Sequence, residues 1–273
     1  MSRENNIDPE EIGHKIIAGL DTKLIARELK YYPTITSTNQ KARELAEADA
    51  PEGTMVIAET QDEGRGRRGR VWVSPKGGLW LTIVLRPHIP PNHAPIITLL
   101  TGVVVAKSIR DTTKLNATVK WPNDVRIHDK KVCGILTEIN TEPEITNYIL
   151  LGLGINVNIQ KTNFPKELQN SVTSLQVELN SELDKIHFLQ QLLMEFEKEY
   201  LKFSKSPAKN IPKVLKMWRQ YSDTLGRNVK IETISGEISG LAADISNDGA
   251  LIIVTEHGEE HKIVAGDCIY LDQ

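Results

Sequence analysis

The sequence predicts an α+β protein in two parts. Residues 1–225 form a β-sheet with helices packed on it, and residues 226–273 form a small β-barrel. Two patterns lead to this. Up to about residue 225, apolar strand-like runs and segments of helical period follow one another. Past Gly226 the texture changes to short strands separated by turn signals, the mark of a small barrel.

The elements follow in order. "DPEEIGHKIIAGL" predicts a helix, with Asp8 as cap and Pro9 at its first position. "STNQKARELAEA" predicts a second, capped by Ser37, Thr38 or Asn39 and running to Ala48. "TMVIAET" and "GLWLTIVLRP" read as strands; in the latter Leu79, Leu81, Ile83 and Leu85 alternate with Trp80, Thr82 and Val84. Residues 94–111 form a long apolar helix. "TVKWPNDVRI" and "KKVCGILTEI" are two strands of a hairpin turning at "HDK". "YILLGLGINVNI" is another strand, in which Gly152 and Gly154 mark a bulge or a close backbone approach. Ser181 with Asp184 resembles a capping box. Leu183, Ile186, Leu189, Leu193, Phe196, Tyr200 and Phe203 then recur at helical spacing, a core-facing stripe. "SPAKNIPKVLKMWRQYS" is a further helix. The barrel strands are "NVKIETI", "GEISGLAADI", "ALIIVT" and "EHKIVAGDCIYL".

Composition narrows the class. With 40% hydrophobic and 25% charged residues, the chain of 273 residues is of the soluble globular type. A net charge of −3 argues against a general polyanion binder. Cys133 and Cys268 lie far apart without CxxC company, so neither zinc nor a disulfide is indicated, and Cys133 reads as core. The polar, acidic N-terminus is no signal peptide. "PIITLLTGVVVAKSI" is too short to span a bilayer. A cytoplasmic protein without membrane contact is expected.

"GRGRRG" at 64–69 has the G-x-G-x-x-G spacing of a dinucleotide-binding turn. That turn needs a helix at its end and an acid about 20 residues on. Here "RVWVSPKGG" follows, and "VLRPHIPP" stands where the acid should be. Arg65, Arg67, Arg68 and Arg70 place four cations in the stretch instead. The segment reads as a glycine-rich loop that handles an anion.

Four clusters share the chain with it: "TSTNQ" (36–40), "TQDEGRGRRGRVWVSPKGGLW" (60–80), "KWPNDV" (120–125) with "KVCGILTE" (131–138), and "GLGINVN" (152–158). Each alone has a plain reading as a cap, a turn or a surface lysine. In this order they resemble the biotin protein ligase family, over roughly residues 30–160. The resemblance implies a class II synthetase-like catalytic domain with a mixed sheet, and a C-terminal SH3-like barrel. It implies that biotin and ATP form biotinyl-5′-AMP, and that biotin then passes to a lysine of the carboxyl carrier domain of a biotin-dependent carboxylase.

The same resemblance assigns residues. Biotin would be read by Ser37, Thr38, Asn39, Gln61, Gly64, Arg65, Arg67, Lys131 and Gly134, with Trp80 and Leu136 lining its apolar face. ATP would meet Arg65, Arg67, Trp72, Asn123, Asp124, Lys131 and Asn156. Arg67 and Lys131 are the catalytic candidates, as cations between two reacting anions. Mg²⁺ is expected with ATP, near Asp124; no residue is assigned to it directly. The loop would close over the adenylate and exclude water. Because the resemblance begins near residue 30, a form without a DNA-binding winged helix is expected, with no specific DNA partner; a homodimer is left open. A lipoate–protein ligase ranks lower, since no "RRxSGGG" stretch is found. A non-catalytic single-strand binder ranks lower too, for want of a broad basic stripe.

Overall fold

The structure is a computed structural model and describes residues 9–272. The elements are α1 (Pro9–Ala18), β1 (Leu29–Ile35), α2 (Thr38–Glu47), β2 (Met55–Gln61), β3 (Leu79–Leu85), α3 (Ala94–Thr113), β4 (Thr118–Lys120), β5 (Asp124–Ile127), β6 (Lys130–Thr141) and β7 (Thr146–Ile155). There follow α4 (Leu175–Leu179), α5 (Lys185–Lys205), α6 (Pro207–Tyr221), β8 (Asn228–Thr233), β9 (Gly236–Ile245), β10 (Leu251–Val254), β11 (Glu260–Ile263) and β12 (Asp267–Tyr270).

Seven strands form a mixed sheet in the order β1-β2-β3-β7-β6-β5-β4. β1 and β2 run parallel, and the other pairs are antiparallel. β3 is buried along its whole length, so both faces of the sheet are covered there. Leu79, Leu81, Ile83 and Leu85 join the main core with α3 and α5, while Val84 packs on the other face beside Ala42 and Ala46 of α2. The alternation read from the sequence is this division. Helix α3 is long and apolar enough to cross a membrane by composition, yet 72% of that stretch is buried among the other elements. It is a core helix.

The second sheet has the order β11-β10-β9-β8-β12, antiparallel throughout. Its buried residues, among them Val229, Ile231, Leu251 and Tyr270, belong to the same hydrophobic cluster as the main core. Trp121 ties the two together: its backbone N–H donates to Thr224 Oγ1 at 3.0 Å and its indole N–H to the Gly249 carbonyl at 3.2 Å.

Several boundaries differ from the sequence reading. "TVKWPNDVRI" is two strands, β4 and β5, because Pro122 cannot donate to a ladder and the chain folds back around it. "EHKIVAGDCIYL" likewise divides into β11 and β12. The cap of α5 is Asp184, whose carboxylate accepts from the N–H groups of Ile186 and His187, rather than Ser181. Ser37 precedes α2 without a side-chain capping bond. β1 has no alternating signal in its sequence and carries Pro33, which an edge strand tolerates. Asp8, expected to cap the first helix, lies outside the described residues; α1 itself begins at Pro9.

Glu197 of α5 anchors the segment before β1. Its buried carboxylate accepts from the backbone N–H groups of Lys23 at 2.7 Å, Leu24 at 2.8 Å and Ile25 at 2.7 Å. Three donors lose their partner if it is removed. Glu197→Ala is expected to cost about 3 kcal/mol of stability in urea unfolding, with an unchanged m-value.

Candidate active site

The site begins with missing side chains. On paired strands β6 and β7, Gly134 stands opposite Gly154. A Cβ at Gly134 would come within 2.8 Å of the Trp72 ring, and one at Gly154 within 2.4 Å of its Nε1. The indole of Trp72 therefore lies directly on backbone. Trp80 meets it edge-on, ring centroids 6.5 Å apart. Lys131 Nζ sits 4.9 Å from the Trp72 ring centroid. Trp72 Nε1 is buried without a hydrogen-bond partner.

Around this floor is a cavity of about 610 Å³. Its lining brings together Ser37, Thr38, Asn39, Gln61, Arg65, Arg67, Trp72, Asn123, Asp124, Lys131, Gly134, Leu136 and Asn156, which the sequence had scattered over 120 positions of chain. One end is neutral and densely hydrogen-bonded. Gln61 Oε1 accepts from the Thr38 N–H at 2.8 Å and from its hydroxyl at 3.0 Å, and Gln61 Nε2 donates to Ser74 Oγ at 2.8 Å. Thr82, wholly buried, donates to Asn39 Oδ1 at 2.6 Å.

The other end is cationic. Arg67 donates to Asn123 Oδ1 at 3.0 Å and to the Gly266 carbonyl at 3.3 Å. Lys131 Nζ is 2.7 Å from Asp124 Oδ1. Lys120 lines this end too. Burial holds both Arg67 and Lys120 below the ordinary values for their groups. An arriving anion would raise both again. Among the described residues no cluster of three His, Cys, Asp or Glu side chains is set to hold a metal. Asp124, a single carboxylate beside an amide and a lysine, suits an ion that shares its coordination with phosphates and water.

Two expected residues stand elsewhere. Trp80 does not line the cavity; it is fully buried with Ile159 and Phe164 behind Trp72. Gly64 also lies off the lining, at the base of the loop, where its carbonyl accepts from the Trp72 N–H at 2.8 Å. A Cβ there would stand 2.2 Å from the Trp72 carbonyl oxygen. Lys120, Arg126 and Asp267 line the cavity without having been singled out. Lys120 opens the "KWPND" motif and was legible; Asp267 is recognisable only once the barrel is seen against the loop.

The four arginines divide their work. Arg65, Arg67 and Arg70 line the cavity. Arg68 turns away: it has φ 56°, ψ 34°, a conformation few residues other than glycine adopt. Its guanidinium reaches Asp267 Oδ2 at 2.9 Å and the Glu232 carbonyl at 3.2 Å. Arg70 pairs with the same carboxylate. The loop is thus pinned to the barrel by the Asp267 carboxylate, with the Gly266 and Glu232 carbonyls beside it. Asp267→Asn is expected to speed tryptic cleavage between residues 65 and 70 roughly five- to tenfold, a loss of about 1 kcal/mol of loop closure, while global unfolding moves little.

The mixed sheet, the appended antiparallel sheet and a cavity with one amide-lined end and one cationic end define a binder of a small neutral-headed molecule next to an anion. The comparisons resolve this further. Residues 31–156 match the Biotin/lipoate A/B protein ligase family, and residues 224–270 match the Biotin protein ligase C terminal domain. The bifunctional ligase/repressor BirA of Bacillus subtilis is 37% identical over 250 residues, spanning 91% of this chain and 76% of that protein. The biotin--[acetyl-CoA-carboxylase] ligase of Mycobacterium tuberculosis is 30% identical, over 90% of each chain. The structure of a biotin protein ligase from Aquifex aeolicus in complex with biotin and ATP superposes with a TM-score of 0.75 at 28% identity, covering 89% of this chain and 98% of that one. The chain belongs to the biotin protein ligase family.

Proposed function

We propose that this chain joins biotin to ATP as biotinyl-5′-AMP and passes the biotinyl group to a lysine of a carboxylase carrier domain. The carrying observation is the cavity itself: a neutral, hydrogen-bonded end and a cationic end within one continuous cleft. Biotin has a polar ureido ring at one end and a carboxylate at the other. The ureido ring fits against Ser37, Thr38, Asn39 and Gln61, which leaves the carboxylate directed towards Arg65 and Arg67, with Lys131 beside Asp124 on the nucleotide side of the junction.

In the first step a carboxylate oxygen attacks the α-phosphorus, the bond to the β-phosphate breaks, and pyrophosphate leaves. Two anions must approach, so cations fixed at the junction lower the barrier. Arg67 offers a guanidinium held by Asn123, and Lys131 a point charge held by Asp124. Asn123, Asp124, Asn156 and Trp72 serve the nucleotide side. Asp124 is the carboxylate that would hold Mg²⁺, which when bound neutralises phosphate charge. In the second step the neutral amine of the acceptor lysine attacks the acyl carbon, AMP leaves with its electron pair, and the amine's extra proton is lost to solvent. The pinned loop keeps water from the mixed anhydride in the interval. A cytoplasmic location would keep the two buried cysteines, Cys133 and Cys268, in the free state they have here.

ATP–pyrophosphate exchange measured with biotin, with lipoate and with neither tests the first step, and the mass shift of a carrier domain tests the second. Exchange with biotin alone is expected; exchange driven by lipoate would replace the reading. Arg67→Ala should lower adenylation by about 2–4 kcal/mol of transition-state stabilisation while the fold persists; normal turnover would remove Arg67 from the mechanism. Lys131→Ala should leave calorimetric biotin binding without ATP intact and slow adenylation. If it weakens biotin on its own, its role lies in binding instead.

A further inference from the structure

Behind the neutral end of the cavity lies a pair of side chains that the reaction does not touch. Asn39 is buried, 5% exposed, and its side-chain amide is held from two directions. Its Nδ2 donates to Glu138 Oε2 at 2.8 Å, and its Oδ1 accepts from Thr82 Oγ1 at 2.6 Å. Glu138 in turn receives Arg43 Nη2 on its other oxygen, Oε1, at 2.6 Å. Neither Glu138 nor Arg43 lines the cavity, whereas Asn39 does.

A side-chain amide is nearly symmetric in shape, and its two ends are opposite in hydrogen-bonding sense. Thr82 does not decide which end faces it, because a hydroxyl can donate or accept. Glu138 does decide. A carboxylate held by a guanidinium accepts only, so the amide nitrogen must face it. The second N–H of Asn39 is then committed as a donor. The amide cannot relax by moving away either: Gly152 lies beneath it, and a Cβ there would stand 2.2 Å from Oδ1. Gly152 itself pairs with Thr82 on one side and Leu136 on the other, so the wall is one continuous strip of sheet.

We infer that Glu138, itself oriented by Arg43, is a positioning residue that locks the Asn39 amide in one sense and so sets the hydrogen-bond polarity with which the pocket reads the ureido end of biotin. This rests on the proposed biotin site and goes beyond it. A cyclic urea presents one acceptor between two donors. An amide free to flip would meet it wrongly part of the time and pay for the correction on binding. With its sense fixed in advance, Asn39 discriminates for the urea before the nucleotide arrives.

The test is titration calorimetry of biotin without ATP, with steady-state kinetics and thermal unfolding beside it. Glu138→Gln keeps the shape but can face Asn39 with either end. It should weaken biotin roughly tenfold, raise the biotin KM in step, and leave kcat at saturating biotin and the KM for ATP within about twofold. Arg43→Met should move the same quantities in the same direction by less. The double variant Asn39→Asp with Glu138→Gln restores a satisfied pair with the polarity reversed. It should regain thermal stability relative to Asn39→Asp alone yet remain defective for biotin. Wild-type biotin affinity in Glu138→Gln, or in the double variant, would overturn the inference. A wild-type protein that binds no biotin would instead overturn the functional reading on which it rests.

Discussion

The register between β6 and β7 is the constraint on which the rest depends. It sets Gly134 against Gly154 and Leu136 against Gly152. Three missing side chains then fall on one face of the sheet, and that face is where Trp72 and Asn39 come down onto backbone. A slip of one residue would send every side chain of a strand to the opposite face and fill the cavity with apolar groups from the main core. The register is protected by that same core. Ile135, Leu153 and Ile155 alternate with the glycines and are buried on the other side, with Ile149 and Leu151. Hydrophobic burial on one face of the strands thus keeps the space on the other face open.

The barrel extends this logic to the charged end. Glycine-bearing backbone is costly to order, and four like charges along it repel. Asp267 offsets both by collecting Arg68 and Arg70, which carries the loop across the cavity and leaves Arg67 facing Asn123. The acid comes from the first residue of β12, and β12 is held in place by pairing with β8. The barrel shares its apolar core with the larger part through Trp121 and the residues around it. Placement of the loop therefore depends on packing some way from the loop itself.

Much of this was legible in the sequence, for physical reasons that differ from element to element. β3 announced itself because its alternation separates two buried faces, and α3 because nearly every position is apolar. Gly152 and Gly154 were legible as close approaches, although not what would approach them. The clustered polar residues were legible through their motif order, and thirteen of the named side chains and backbones line one cavity. Trp80 was misread because a tryptophan in a strand shows no preference for the cavity over the layer behind it; its indole N–H is satisfied by the Pro75 carbonyl at 3.0 Å. β1 was missed because its burial pattern does not alternate. Asp267 was illegible because its partners lie nearly two hundred residues away, and no local pattern encodes such a pairing.

The two ends of the cavity are made rigid by different means, and the difference matches what each must do. At the neutral end the hydrogen bonds run among Thr38 and Asn39 of α2, Gln61 of β2, Thr82 of β3 and Ser74 in the loop between those strands, side chains that are buried or half-buried. Such a network polarises in one sense and holds its shape whether or not anything is bound. At the charged end the cations are held by contacts between separate parts, the loop with the barrel and β5 with β6, and each contact is an ion pair or a bond to a carbonyl or amide oxygen. Those contacts can exchange for phosphate oxygens at little cost, because one anion replaces another around the same guanidinium or ammonium. A rigid neutral end selects the molecule by its hydrogen-bond pattern. An exchangeable charged end admits a second, highly charged molecule beside it and then lets a product of that charge depart.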